Sequence, residues 1–202
     1  VKQDEAPIYV RLGSSLMKMS QYGEAKAAFE NALALGEVRR SVFHDMGVIY
    51  EQEGAPEKAL NFYRRALGLG KGSSETHFRV AGVLKELEKP VEAMNHFRQA
   101  ISLDPDNANA HYGLAQLLLA EGSVVEATDL LNTFSKLKEY EGRLVPLRRA
   151  VEMAPRDPQA AYDLAMLHMD YGRMQKGLDI IQRILKLHPN FTKAKEWVEA
   201  NP

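Results

Sequence analysis

Apolar residues recur along the chain at the spacing of helix faces. Leu12 and Leu16 are four residues apart, and Ala25, Phe29 and Ala32 follow one another at steps of four and three. Residues at these spacings lie on one side of an α-helix, and the polar residues between them occupy the other sides. Glycine and proline separate successive apolar segments. The pattern therefore predicts pairs of antiparallel helices joined by tight turns.

The same pattern returns every 34 residues, so the chain is a repeat array. Several independent positions share this period, which makes chance an unsatisfactory explanation. One series consists of small residues: Ala25, Ala59, Ala93 and Ala127. A second series, four positions further on, consists of large apolar residues: Phe29, Tyr63, Phe97 and Leu131. One helix pair cannot bury its apolar face alone. We therefore expect neighbouring pairs to stack into a solenoid.

The unit resembles the tetratricopeptide repeat. Its second copy, from Arg40, carries Phe43, Met46-Gly47, Tyr50 and Gly54 at the motif positions. The resemblance implies an all-α fold, a right-handed superhelix of about five helix-turn-helix repeats with a C-terminal capping helix. The expected divisions are repeats 1–4 over 6–139, an inserted helical extension over 140–157, repeat 5 over 158–191 and the capping helix over 192–202.

Four residues depart from the motif. Ser20 and Glu88 stand where the turn glycine is usual, at position 15 of the repeat, and Phe134 and Gly177 replace alanines. We expect these departures to change local packing and not the fold.

The period is interrupted after the fourth repeat. Gly177 follows its equivalent, Ala127, by 50 residues instead of 34. The favoured interpretation is one long helix over about 124–153, bent near Pro146, because an interior proline removes a backbone hydrogen bond. Gly142 also argues against continuity. On this interpretation the first half of the helix loses a covering neighbour, and an exposed apolar strip of Leu130, Phe134 and Leu137 becomes available for assembly.

Composition narrows the function classes. The 202 residues include 26 Lys and Arg against 27 Asp and Glu, so no bulk charge favours nucleic acid or an anionic membrane. No cysteine is present, which excludes disulfides, thiolate zinc sites and thiol nucleophiles. No apolar run is long enough for direct membrane insertion. The expected compartment is left open between cytoplasm and periplasm.

No motif indicates catalysis, and we predict that the chain is not an enzyme. The Gly-rich stretch from Gly68 to Ser73 lacks the phosphate-loop pattern, because Lys71 precedes a glycine and a helix stands where a strand is required. Ser73 or Ser74 is better explained as a helix cap. The six histidines have no metal-ligand spacing. We expect no cofactor and no metal.

The family resemblance implies that the first helix of each repeat lines a concave groove. Aromatic residues at fixed steps, above all Phe78 and Tyr112, suit a binding surface, since rings supply contact area at low entropic cost. The alternative is that they pack sideways on the next repeat. The candidate groove residues are His44, Val48, Phe78, Arg79, Lys85, Tyr112, Gln116, Leu119, Tyr162 and Met166.

One binding mode of the family is disfavoured. Members that hold the C-terminal carboxylate of a chaperone use basic and amide side chains at five fixed positions. Only one of the five residues here fits, and two carboxylates would repel such a ligand; the five are Val10, Ser14, Asp45, Glu75 and Arg79. We therefore do not expect a chaperone-tail binder.

The sequence favours a non-catalytic module that binds a peptide or helical segment of a partner protein in the groove. Two alternatives stay open. The chain is a self-assembly or docking element that forms a homodimer through the interrupted helix, or it is the accessory repeat domain of a larger enzyme. The fold by itself does not choose among them.

Overall fold

A computed structural model of the protein describes residues 5–70 and 72–201. Over these residues it is all-helical, with eleven α-helices and no strand. The helices, in chain order, are α1 (Ala6–Lys18), α2 (Tyr22–Ala34), α3 (Arg40–Gln52), α4 (Pro56–Gly68), α5 (Ser74–Glu86), α6 (Pro90–Leu103), α7 (Ala108–Ala120), α8 (Val124–Met153), α9 (Pro158–Asp170), α10 (Met174–Leu187) and α11 (Thr192–Ala200). The predicted all-α helix-turn-helix fold is confirmed.

Local sequence signals explain where the helices begin. Proline occupies the first turn of α1, α4, α6 and α9, where its missing N–H is not needed. Three other residues cap a helix by accepting a backbone N–H with the side chain: Ser73, Asn107 and Asp157. The expected capping by Ser73 is confirmed, with Oγ accepting from the N–H of Thr76 at 3.1 Å.

The turns inside the repeats keep one geometry despite the departures in sequence. Gly54 and Gly122 have φ values of 66° and 86°, in the left-handed region. Ser20 and Glu88, at the equivalent positions, also adopt positive φ, 59° and 55°. A side chain there is uncommon and carries a small backbone cost. The helix pairs on either side therefore hold the turn in place.

Close helix contact explains the small residues of the motif. A Cβ added to Gly13 or Gly47 would collide with the ring of Phe29 or Tyr63 on the second helix of the same pair. Gly177 is required for the same reason, because a Cβ there would lie 2.8 Å from the backbone oxygen of Ala165. Gly177 thus replaces the usual alanine where α9 and α10 approach closely.

The chain divides into two compact units, one ending at Phe134 and the other beginning at Ser135. The first contains α1–α7 and the first part of α8, around a continuous apolar core in which Phe29, Tyr63 and Leu84 are fully buried. The second has a smaller core, formed by Ala165, Ile181, Ile184 and Ala194. The division of 6–202 into the four predicted segments stays a prediction.

Helix α8 is 30 residues long, and it continues through Gly142 and Pro146. Both residues are exposed. The absent side chain of Gly142 and the absent N–H of Pro146 therefore leave no gap in a buried surface. The expected long helix is observed. A bend at Pro146 stays a prediction.

Candidate functional site

The candidate groove lies on the first helices of the repeats. We call the surface formed by α1, α3, α5 and α7 of the first unit the inner face. The predicted binding residues on this face differ in exposure. His44, Val48, Phe78, Arg79 and Gln116 are half-buried, whereas Lys85, Tyr112 and Leu119 are exposed.

The two aromatic candidates differ. Phe78 is half-buried and packs against the core, with its ring 6.0 Å from that of Phe97. Tyr112 keeps 42% of its surface exposed, and its ring lies 5.0 Å from that of Phe134. Phe78 therefore has a structural role as well, and Tyr112 is the more accessible of the two side chains.

Arg79 is held by two carboxylates. Its Nε donates to Glu75 at 2.7 Å, and Nη1 donates to Glu51 at 3.2 Å. Glu51 also accepts a hydrogen bond from the hydroxyl of Tyr63. Burial alone would lower the pKa of Arg79, but the surrounding negative groups more than offset it and raise the pKa. Arg79 thus joins α3 to α5, and its guanidinium group is already paired within the chain.

The remaining polar candidates also connect neighbouring helices. His44 Nδ1 lies 3.0 Å from the hydroxyl of Thr76, and burial lowers the pKa of His44, which favours the uncharged ring. Lys85 Nζ donates to Gln116 Oε1 at 2.7 Å. These contacts join α3 to α5 and α5 to α7 on the inner face.

Asp45 was counted from the sequence only as a residue that repels carboxylates. In the structure it is half-buried, and no hydrogen bond or ion pair joins its carboxylate to another described residue. Burial raises its pKa to about 6. Sequence reasoning missed this residue because neither burial nor the lack of a partner is visible in the repeat motif.

The two candidates in the second unit belong to its core. Tyr162 and Met166 are half-buried and pack against the second apolar cluster. The ring of Tyr162 lies edge-on to Phe191 at 5.8 Å. A cleft of about 200 Å³ also lies in this unit, among Ala161, Leu164 and Ile184. It is smaller than the usual small-molecule site.

The apolar strip on α8 is not exposed, contrary to expectation. Leu130, Phe134 and Leu137 are all half-buried. Leu130 packs against the first core, and Phe134 lies against Tyr112. The preceding repeat therefore covers part of Leu130 and Phe134.

Two further histidine contacts join side chains within the units. His77 and His96 face each other with Nδ1 atoms 3.0 Å apart, and His168 Nδ1 lies 2.8 Å from the hydroxyl of Tyr140. Over 5–70 and 72–201, no three His, Cys, Asp or Glu side chains are placed to hold a metal ion. In the Gly-rich stretch, Lys71 lies outside the described residues. Within the described part of the chain, no helix is both long and apolar enough to cross a membrane.

Three family models, each described as "Tetratricopeptide repeat", match residues 4–72, 84–137 and 147–190. The chain belongs to the tetratricopeptide repeat family. Proteins of this fold mediate protein–protein interactions or assembly and are typically non-catalytic scaffolds.

Two curated relatives are the photosystem I assembly protein Ycf3 from Prochlorococcus marinus strains NATL1A and NATL2A. They are 36% and 34% identical to this chain over 70 residues, which is 33% of this chain and 40% of each relative. The chain therefore spans less than half the length of these relatives.

Solved structures of similar fold cover nearly the whole chain. YrrB, described as a TPR protein with an unusual peptide-binding site, has a TM-score of 0.58 at 18% identity. The match covers 95% of this chain and 90% of the YrrB chain. MamA from Desulfovibrio magneticus RS-1 has a TM-score of 0.59 at 13% identity, covering 93% and 97%. Pseudomonas aeruginosa pilF has a TM-score of 0.55 at 17% identity, and the match covers 100% of this chain and 100% of the pilF chain. These likenesses establish the fold alone.

Proposed function

We propose that the chain is a non-catalytic module that binds an extended peptide or an amphipathic helix of a partner protein on its concave inner face. The observation that carries this proposal lies on α7. Tyr112 and Leu119 are 42% and 45% exposed, although most of the helix around them is buried. They are seven residues apart and so lie on one side of the helix, two turns from each other.

The chemistry of this surface favours a protein segment as the ligand. Tyr112 and Leu119 offer apolar contact, and Gln116 lies between them on the same side of α7. Lys85, already bonded to Gln116, places a cation beside them. An amphipathic helix or an extended chain presents such apolar and polar groups at regular steps. The relatives support a protein partner by analogy, since YrrB is described as peptide-binding and Ycf3 as an assembly protein.

Selection from a library of short random peptides tests the proposal. Leu119→Arg places a long charged side chain on the inner face at an exposed position, so folding should be preserved. Val91→Arg is the matched control, because Val91, like Leu119, is an exposed aliphatic residue of the first unit but lies on α6. We expect peptides that bind the native chain and Val91→Arg but not Leu119→Arg.

Equal binding of the selected peptides to both variants would contradict the proposed surface. Circular dichroism and urea unfolding of the variants show whether a loss of binding comes from unfolding. The test needs no knowledge of the natural partner.

Self-assembly through Leu130, Phe134 and Leu137 has weaker support. These residues are half-buried within the chain, so little apolar surface is left for a second copy. Its test is sedimentation velocity across a concentration series. If the mass stays that of a single chain at every concentration, peptide binding in the groove is the better-supported function.

A further inference from the structure

The 34-residue period allows two neighbouring sites of the inner face to be compared residue by residue. The Arg79 site, between α3 and α5, consists of Glu51, Tyr63, Glu75 and Arg79. Its equivalent one repeat earlier lies between α1 and α3, at positions lower by 34. The residues there are Met17, Phe29, Ser41 and Asp45.

At the Arg79 site every charge has a partner. Arg79 donates hydrogen bonds to both Glu51 and Glu75, and the Tyr63 hydroxyl donates one to Glu51. The site is half-buried, and its side chains satisfy one another. A cation that bridges two carboxylates beside an aromatic ring therefore already exists on this surface.

At the Asp45 site the charge has no partner. Met17 stands where Glu51 stands in the other site, Phe29 has no hydroxyl, and Ser41 replaces Glu75. Asp45 is half-buried, and its neighbours three residues before and four residues after on the helix, Val42 and Ile49, are fully buried. A carboxylate in such surroundings loses hydration without receiving a hydrogen bond in return.

The charged residues of the adjoining helices leave Asp45 unpaired. Arg11 and Lys18 on α1 are exposed and form no ion pair with it, and Arg79 on α5 is already held by two carboxylates. Among the described residues, no side chain supplies the missing cation. A bound partner has to supply it, or the carboxylate stays uncompensated.

We propose that Asp45 receives an arginine or lysine side chain of the bound partner segment, with the methylene groups of that side chain covering Met17. This inference rests on the proposed peptide-binding function and specifies its ligand. Arginine and lysine combine an apolar stem with a charged end, which matches the partly buried Met17 and the half-buried carboxylate of Asp45. A carboxylate ligand is excluded here by repulsion.

The experiment uses the peptides selected on the native chain that Leu119→Arg fails to bind. Those peptides should share an arginine or lysine at one fixed position. Replacing it by citrulline or norleucine, which keep the length but remove the charge, should weaken binding about tenfold. The same substitution should have no further effect on binding to Asp45→Asn.

A matched control separates Asp45 from acidic residues in general. Asp129 is an exposed aspartate of the first unit on α8, and Asp129→Asn should leave both affinity and cation preference unchanged. Asp45→Asn should lower affinity about tenfold without lowering the stability of the chain. If Asp45 had only a structural role, Asp45→Asn would not lower the affinity for the peptides while the stability of the chain stayed the same or rose.

The outcomes separate this inference from the proposed function. If no selected peptide is sensitive to Leu119→Arg, both fail. If such peptides exist but lack a common cation, or if Asp45→Asn keeps the cation preference, the groove function stands and the inference about Asp45 is overturned. A cation preference that disappears only with Asp45→Asn supports it.

Discussion

The Arg79 site and the Asp45 site occupy the same place in successive repeats but differ in how their charges are satisfied. Arg79 is compensated by Glu51 and Glu75 within the chain. Asp45 is half-buried with no described partner. Since an unpaired buried charge costs stability, the first site strengthens the stack of repeats and the second weakens it. Equivalent positions of successive repeats therefore differ in whether their charge is compensated within the chain.

The largest effect is expected at the Arg79 site. Arg79→Met keeps the apolar stem but leaves Glu51 and Glu75 without their shared cation. The free energy of unfolding should fall by about 2 kcal/mol, below the value for a fully buried pair because the site is partly exposed to solvent. Urea unfolding at pH 7 measures the change.

Arg98→Met is the control for this prediction. Arg98 pairs with Glu126 at 3.2 Å, but both side chains are exposed, so the loss should stay below about 0.5 kcal/mol. Equal losses in the two variants would show that the Arg79 site has no special structural role.

A smaller effect of opposite sign is expected at Asp45. Asp45→Asn removes the uncompensated charge and should raise the free energy of unfolding at pH 7 by about 1 kcal/mol, an amount reduced for solvent screening. The pKa of Asp45 is raised by burial from 3.8 to about 6 in the folded state. The folded protein thus binds this proton more tightly than the unfolded chain.

The pH dependence follows from that sign. The penalty is absent below the unfolded pKa and complete above the folded pKa. The native chain should therefore lose stability relative to Asp45→Asn as the pH rises from about 4 to about 6. Urea unfolding of both proteins across this range tests it, and a constant difference would mean that Asp45 is fully hydrated.

The smallest effect is expected from converting one site into the other. Met17→Arg places a cation where the repeat period puts the partner of Asp45. We expect stability to rise by about 0.5 kcal/mol at low salt and the gain to shrink at high salt. Met17→Leu is the uncharged control. A salt-independent gain would indicate improved apolar packing instead of a new ion pair.

The repeat motif was sufficient to predict the fold. Its small and large apolar positions predicted the helix pairs, and the glycines at position 8 of the repeats, Gly13 and Gly47, face the rings that the motif places opposite them. The long helix was also predictable, because Ala127 and Gly177 are displaced by a fixed insertion. These features depend on spacing along the chain, which the sequence contains directly.

The candidate site was harder to predict. Arg79 and His44 lie on the expected surface, but each is bonded to a residue on a neighbouring helix, 28 and 32 positions away in the chain. The strip on α8 was expected to be exposed and is half-buried; within it, Phe134 packs on Tyr112 and Leu130 on the first core. Such pairings depend on side-chain directions that a repeat period does not specify.

The sequence by itself determined that this protein is a stack of helix pairs, because a 34-residue period of small and large apolar residues has few other solutions. Only the tertiary structure decided which polar residues of the inner face are available. Helix packing brings Glu51 to Arg79 and leaves Asp45 opposite no cation. The physical reason is that apolar burial follows local periodicity, whereas charge compensation depends on which side chains meet between repeats.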